Sequence, residues 1–215
     1  MSETKQLPNI THGPFMSSMN FTDDINPQGM ITRAVILNGP PGSGKDTLAD
    51  AFASAFSTER RAFKDGLIDL TADLMLVDRH WFRLVCADRD EKEIPRDQLG
   101  GRSPRQALIY VSEEVVKPAF GQDYFGRYAA QRLTPGSLHI FSDGGFIEEI
   151  QPVIDAVGPE NFLLIQLHRD GFSFEGDSRR YIPTDYVQCW AKLEVQDPDT
   201  TLAAFIDAIQ DWIEK

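Results

Sequence analysis

Gly39-Pro40-Pro41-Gly42-Ser43-Gly44-Lys45-Asp46-Thr47 fixes the reading of this chain. The stretch follows Ala34-Val35-Ile36-Leu37, an unbroken apolar run of the kind found in strands buried on both faces. It precedes residues 45–56, where Leu48, Ala51, Phe52 and Ala55 share one helical face. The local order is therefore strand, glycine-rich turn, lysine, helix. The glycines let several backbone N–H groups converge on one point. The helix that follows adds its free N–H groups and the positive end of its dipole. Lys45 adds a mobile charge. Together these features make a nest for a phosphate chain, with Gly39, Pro41, Gly42, Ser43, Gly44, Lys45, Asp46 and Thr47 as the candidate contacts. A merely structural glycine turn with a solvated lysine would not need all four features at once.

The alternation continues outward. Short strands are expected at 61–63, 138–141, 162–167 and 189–195, and helices at 66–77, 122–132, 147–157 and 200–213. Leu67, Leu70, Leu74 and Val77 make the apolar stripe of the second helix. Ser103-Pro104-Arg105-Gln106 starts another, with Ser as cap, Pro in the first turn and Gln at the capping-box position. That helix should stop near Val116, because Pro118 cannot continue it. Residues 88–102 read as a loop. Strands alternating with helices predict a three-layer α/β/α fold around a mostly parallel five-stranded sheet. Residues 1–30 are polar and show no period, so they read as an extension to a single domain over 31–215.

Composition excludes several classes. The chain of 215 residues is 41% hydrophobic and 25% charged, too apolar for a disordered chain. No apolar run approaches a membrane span, and the N-terminus lacks a secretory h-region. Cys86 and Cys189 are too few for a disulfide scaffold and read as buried thiols. His12, His80, His139 and His168 have no ligand spacing. The three tryptophans, Trp81, Trp190 and Trp212, read as packing residues. The net charge of −12 argues against a nucleic-acid partner. A cytoplasmic enzyme with a small-molecule partner is expected, with no membrane partner and a homodimer left open.

The charge is unevenly spread. Thirteen of the 21 Lys and Arg residues lie between Arg60 and Arg132. A second anionic substrate would need such a local positive region, which marks about 60–132 as the acceptor side. Arg105, at a helix start, is the first candidate; Lys64, Lys117, Arg127 and Arg132 follow. Asp143 ends an apolar strand, where an acidic group near Mg²⁺ or an acceptor belongs, though a turn-forming Asp reads equally well. Asp65 is the candidate base if the acceptor is a hydroxyl. Phe120 and Tyr124 are either base-stacking or core residues. Between two strands, 169–185 is polar, with Arg169, Arg179 and Arg180 and two glycines. It reads as a lid whose arginines neutralise a transferring phosphoryl group and whose closure keeps water out.

The loop departs from the common pattern, in which Ser or Thr follows the lysine. Here Asp46 follows, and the hydroxyl comes at Thr47. Adenylate-kinase-like loops shift their threonine in this way. Gly-Lys-Asp-Thr resembles the loop of phage deoxynucleoside monophosphate kinases. Phe63-Lys64-Asp65, Ser103-Pro104-Arg105-Gln106, Phe120-Gly121-Gln122-Asp123-Tyr124 and Ser142-Asp143 resemble further segments of that family, over roughly residues 32–195. The resemblance implies ATP and Mg²⁺ as cofactors and a (deoxy)nucleoside 5′-monophosphate as acceptor. It implies Lys45, Arg105, Asp143, Arg169, Arg179 and Arg180 as the catalytic group. Lys64, Asp65, Lys117, Phe120, Tyr124 and Arg127 would contact the acceptor. Mg²⁺ would be held partly through water by Asp46, Thr47 and Asp143, although Asp46 also suits a helix first turn by its charge alone. Related proteins often carry an Arg two positions after the Asp; this chain has Gly145. If phage-encoded, the enzyme would work in the host cytoplasm. A nucleoside or small-metabolite kinase and an NTP-binding regulatory switch are the rival readings.

Overall fold

A computed structural model describes residues 31–56 and 58–215; the expected extension, 1–30, lies outside the described residues. Five strands form one sheet: β1 (Arg33–Asn38), β2 (Glu59–Arg61), β3 (Leu138–Gly144), β4 (Phe162–His168) and β5 (Cys189–Glu194). Their order is β2-β3-β1-β4-β5, and every pair is parallel. The strand before the glycine-rich loop is thus the central one. Val35 lies opposite Ile140 on one side and Leu163 on the other.

Parallel pairing requires crossovers, and the crossover helices cover both faces. Val35 and Leu37 pack against α1 (Lys45–Phe56) and α8 (Pro198–Ile213), through Leu48, Phe52, Phe205 and Ile209. Ala34 and Ile36 point the other way, onto Ile150, Val153 and Ile154 of α7 (Ile147–Val157). The apolar run is continuous because each of its two faces meets a helix layer. The fold is the three-layer α/β/α arrangement predicted.

The connection from β2 to β3 builds a helical annex. It holds α2 (Lys64–Leu74), α3 (Arg79–Ala87), α4 (Pro104–Ile109), α5 (Lys117–Phe120) and α6 (Tyr124–Ala130). Ile68, Ala72, Phe82, Leu99 and Ala107 form its separate core. Several details differ from the expectations. Helix α3 falls in a stretch given no element, although Asp78 caps it from Trp81 N–H, a signal present in the sequence. The loop at 88–102 contains two short 3₁₀ turns pinned by buried Leu99.

The capping box at Ser103 and Gln106 forms as expected. The chain does not stop at Val116, however. It widens into a π-helical segment, Tyr110–Val116, where Lys117 N–H reaches Ser112 O, and then restarts as α5. Pro118 falls in the first turn of α5, where no N–H is needed, so it breaks nothing.

Helix α2 begins earlier than expected and buries Ile68, Thr71 and Ala72; Leu74 is 51% exposed. Leu67 and Leu70 face a second small cluster around Val111 and Phe125. Two packing partners on different sides shift the helix away from its strongest single stripe. The second strand lies two residues earlier than expected, and β3 runs on through Ser142-Asp143-Gly144. Cys86 and Cys189 are half-buried free thiols. Trp212 is buried, and Trp190 is half-exposed.

At the end of β1, Asn38 is fully buried. Its Nδ2 donates to Gly144 O of β3 (3.0 Å) and to Arg180 O (3.1 Å), and its Oδ1 accepts from Ile182 N–H (2.9 Å). Replacing it with Leu leaves these groups unpaired in the interior. Asn38→Leu should lower stability by about 3 kcal/mol, seen as an earlier urea midpoint; an unchanged midpoint would refute this role.

Candidate functional site

The glycine-rich loop, 39–44, joins the central strand to α1. Gly42 and Gly44 both have positive φ, +79° and +93°, conformations that residues with a Cβ avoid. The loop curls around Lys45. Its Nζ donates to Gly39 O and Pro40 O, each at 2.7 Å, and to Ser43 Oγ at 3.4 Å. Lys45 and Ser43 are buried. Burial, and then the charge of Arg179, push the Lys45 ammonium down to about 8. This is a cation held by weak neutral acceptors, ready to exchange them for an anion.

Asp46 and Thr47 lie exposed in the first turn of α1. Asp46 accepts from Ser142 Oγ (2.8 Å) and pairs with Arg60, whose Nη1 also reaches Asp50 at 3.0 Å. Burial pushes the Asp46 carboxyl up, but Lys64, Ser142 and Arg60 outweigh it and hold it low. Asp46 is therefore a charged group steadied from β2 and β3.

The polar segment 169–185 lies against this loop. Arg169 Nη1 donates to Gly42 O at 2.8 Å, and its guanidinium sits 4.5 Å from the Phe172 ring centroid. Phe172 covers Gly42 so closely that a Cβ there would lie 2.6 Å from the ring. The returning leg is tied down. Tyr181 stacks on His168 at 4.2 Å and donates to Leu167 O, while Gln166 Nε2 donates to Ile182 O. Arg180 is exposed and lends only its carbonyl, to Asn38. Arg179 turns inward and makes a bidentate pair with Asp177 (2.9 and 2.6 Å). That pair holds the Asp177 carboxyl down to about 2.

Beside the loop, at the end of β3, is a cavity of about 190 Å³. Lys64, Ser112, Asp143, Glu149 and Arg179 supply its polar lining, and Phe63 and Phe146 supply rings. The Asp143 carboxylate is a tertiary cap. Oδ1 accepts from Phe63 N–H (2.8 Å) and Oδ2 from Lys64 N–H (3.1 Å), so β3 closes the N-terminus of α2. Burial raises the Asp143 carboxyl, against the pull of Lys64 and the two N–H groups. The Arg179 stem lies over Gly145, where a Cβ would come within 2.7 Å of its Cγ and Cδ. Gly145 leaves the space that the Arg179 stem fills.

Other sequence candidates lie elsewhere. Arg105 is exposed, pairs with Glu93 at 2.7 Å, and does not line this cavity. Lys117 pairs with Glu113 at 2.6 Å, with its ammonium 5.6 Å from the Phe146 ring centroid. Phe120, Tyr124 and Arg127 form an outer cluster, with Arg127 held by Asp123 and by Phe120 O. Asp65 accepts from Ala62 N–H and lines a separate cavity of about 260 Å³ with Arg61, Asp69, Arg83 and Arg132. Asn38, Arg60, Phe172, Asp177 and Glu149 were not singled out from sequence. Only Asn38, a polar residue ending an apolar strand beside the loop, carried a readable signal. Among the described residues, no helix is long and apolar enough to cross a membrane, and no group of three or more His, Cys, Asp or Glu is disposed to hold a metal ion.

No protein-family model matches the chain, and no curated protein matches it. Solved structures similar to it include a gluconokinase from Sinorhizobium meliloti 1021, at 10% identity and TM-score 0.46, over 86% of this chain and 96% of that one. A sugar kinase from Janibacter sp. HTCC2649 is similar at 14% identity and TM-score 0.39, over 83% and 95% of the two chains. A shikimate kinase from Bacteroides thetaiotaomicron follows at 15% identity and TM-score 0.35, over 84% and 79%.

The Asp177–Arg179 pair gives a pH test. A carboxyl held at about 2, against 3.8 ordinarily, stabilises the fold fully above the ordinary value. That contribution is lost as pH falls through about 2. Asp177→Asn should therefore lose less stability than wild type between pH 4 and 2, measured by thermal midpoint. Equal losses would show that the pair contributes nothing.

Proposed function

We propose that this chain is a P-loop phosphotransferase that moves the γ-phosphoryl group of ATP to a (deoxy)nucleoside 5′-monophosphate, giving the diphosphate. The observation that carries the reading is a single line of groups. The glycine-rich loop with Lys45, the inward-turned Arg179, and a polar cavity lie side by side at the carboxyl ends of parallel strands.

Each part has a task in this reading. The loop N–H groups and Lys45 receive the β- and γ-phosphates, Lys45 giving up its hold on Gly39 O and Pro40 O. Arg169 and Phe172, already on the loop, cover the nucleotide and exclude water. Arg179 lies between loop and cavity, within electrostatic reach of both Lys45 and Glu149, where charge on a transferring group would need shielding. Lys64 offers the acceptor anion a cation in the cavity. A phosphate oxygen is already ionised at neutral pH, so positioning replaces a catalytic base.

Mg²⁺ prefers hard oxygen donors and keeps several waters. The Thr47 hydroxyl and the Asp46 carboxylate are donors of that kind and suit an ion held largely through water and ATP. When bound, the ion shields the charge of the phosphates. Asp143 gives both oxygens to α2, which argues for it as a positioning group.

A second reading, a kinase acting on a hydroxyl of a small metabolite, draws on the same cavity. Two carboxyls, Asp143 and Glu149, line it, and either could serve a hydroxyl acceptor as base.

The test is ADP release from Mg-ATP with each common ribo- and deoxyribonucleoside monophosphate, and with nucleosides and sugar acids as comparison acceptors. Release that requires a monophosphate, with its diphosphate appearing, is the expected result; release only with hydroxyl acceptors favours the second reading. Release without any acceptor dependence would favour a regulatory switch. Lys45→Ala should cut turnover by about 10²- to 10³-fold. Arg179→Ala should lower kcat more than Arg105→Ala; the reverse order would move the reacting centre away from the cavity. Since the Lys45 ammonium titrates at about 8, ATP affinity should fall as pH rises above that value. Calorimetry from pH 7 to 9.5 checks this, and a flat profile would contradict it.

A further inference from the structure

Glu149 is the third residue of α7, and its carboxyl lines the cavity at the end of β3. Two of the other charged groups there have partners. Asp143 receives two N–H groups, and Arg179 is held by Asp177. Among the described residues the Glu149 carboxyl has no hydrogen bond or ion pair, although its backbone N–H donates to Phe146 O at 3.3 Å. A half-buried carboxyl that lines a cavity without a protein partner is open to a ligand.

The surroundings restrict what that ligand presents. Lys64 and Arg179 line the same cavity and are the groups suited to an anionic end. Glu149 faces Asp143 from β3, Lys117 from α5, Arg179 from the lid and Glu148 on its own helix. Burial first, and then Asp143, push its carboxyl up to about 8, against the pull of Lys117 and Arg179. Burial and Asp143 thus both favour its uncharged form. An uncharged carboxyl offers one donor and further acceptor capacity, the complement of a hydroxyl. It does little to attract an ammonium group and does not repel a nearby anion.

We propose that Glu149 is a specificity-determining residue of the acceptor cavity, hydrogen-bonding a hydroxyl of an acceptor whose anionic end lies between Lys64 and Arg179. The substrate class is therefore a hydroxyl-bearing anion, such as the sugar phosphate part of a nucleotide. This inference rests on reading the cavity as the acceptor site.

The experiment compares matched ligands with and without the hydroxyl, by calorimetric titration. One set of pairs is each deoxynucleoside monophosphate against its 2′,3′-dideoxy counterpart. The other pair is free of any base: glycerol 3-phosphate against methyl phosphate. Wild type should prefer the hydroxylated member by at least about tenfold. Glu149→Met, close in size but without a hydrogen-bonding group, should lose that preference. Glu149→Gln should keep most of it. Thermal midpoints of both variants check folding. A preference that persists unchanged in Glu149→Met, or none in wild type, overturns the proposal. A Glu149-dependent preference confined to the glycerol 3-phosphate pair upholds it and rejects the nucleotide acceptor. Failure of wild type to bind any of these ligands overturns both.

Discussion

The carboxamide of Asn38 holds three parts of the molecule at one point. It closes the central strand, clasps the end of β3 through Gly144 O, and anchors the segment 169–185 through Arg180 O and Ile182 N–H. Being wholly buried, it has no water to fall back on, so all three contacts are required together. The glycine-rich loop begins at the next residue. Its position relative to the lid and to β3 thus follows from one satisfied amide.

Electrostatics completes the arrangement. The chain is strongly acidic, yet Lys45, Lys64 and Arg179 gather near the loop and the cavity. Lys45 is buried and held only by carbonyls and a hydroxyl. Arg179 is tethered by Asp177, which keeps a long side chain aimed inward instead of toward solvent. Asp143 settles the N-terminus of α2 and leaves Lys64 at the cavity edge. Burial and the neighbouring Asp143 both disfavour ionisation of Glu149. The cavity thereby holds both signs of charge without cancelling its attraction for an anion.

The helical annex shows where local rules stop. Pro118 breaks a regular helix by local chemistry, but a π-helical turn before it lets the chain restart with proline in a first turn. The strongest stripe on α2 is not its buried face, because the helix packs against two clusters at once. Hydrophobic periodicity assumes one neighbouring surface; the annex provides two.

The sequence by itself determined the central strand, the glycine-rich loop with Lys45, the capping box of α4 and the parallel alternation. These are encoded within a few residues of one another, as apolar runs, glycine spacing and cap chemistry. It also marked 169–185 as an arginine-bearing segment between strands. Tertiary structure alone decided which arginine turns inward, what fills the space over Gly145, what caps α2, and that Glu149 meets Asp143 in a cavity. Two of these relations join residues far apart in the chain: 34 positions for Gly145 and Arg179, and 80 for Phe63 and Asp143. No local pattern can register a partner that only folding brings into contact.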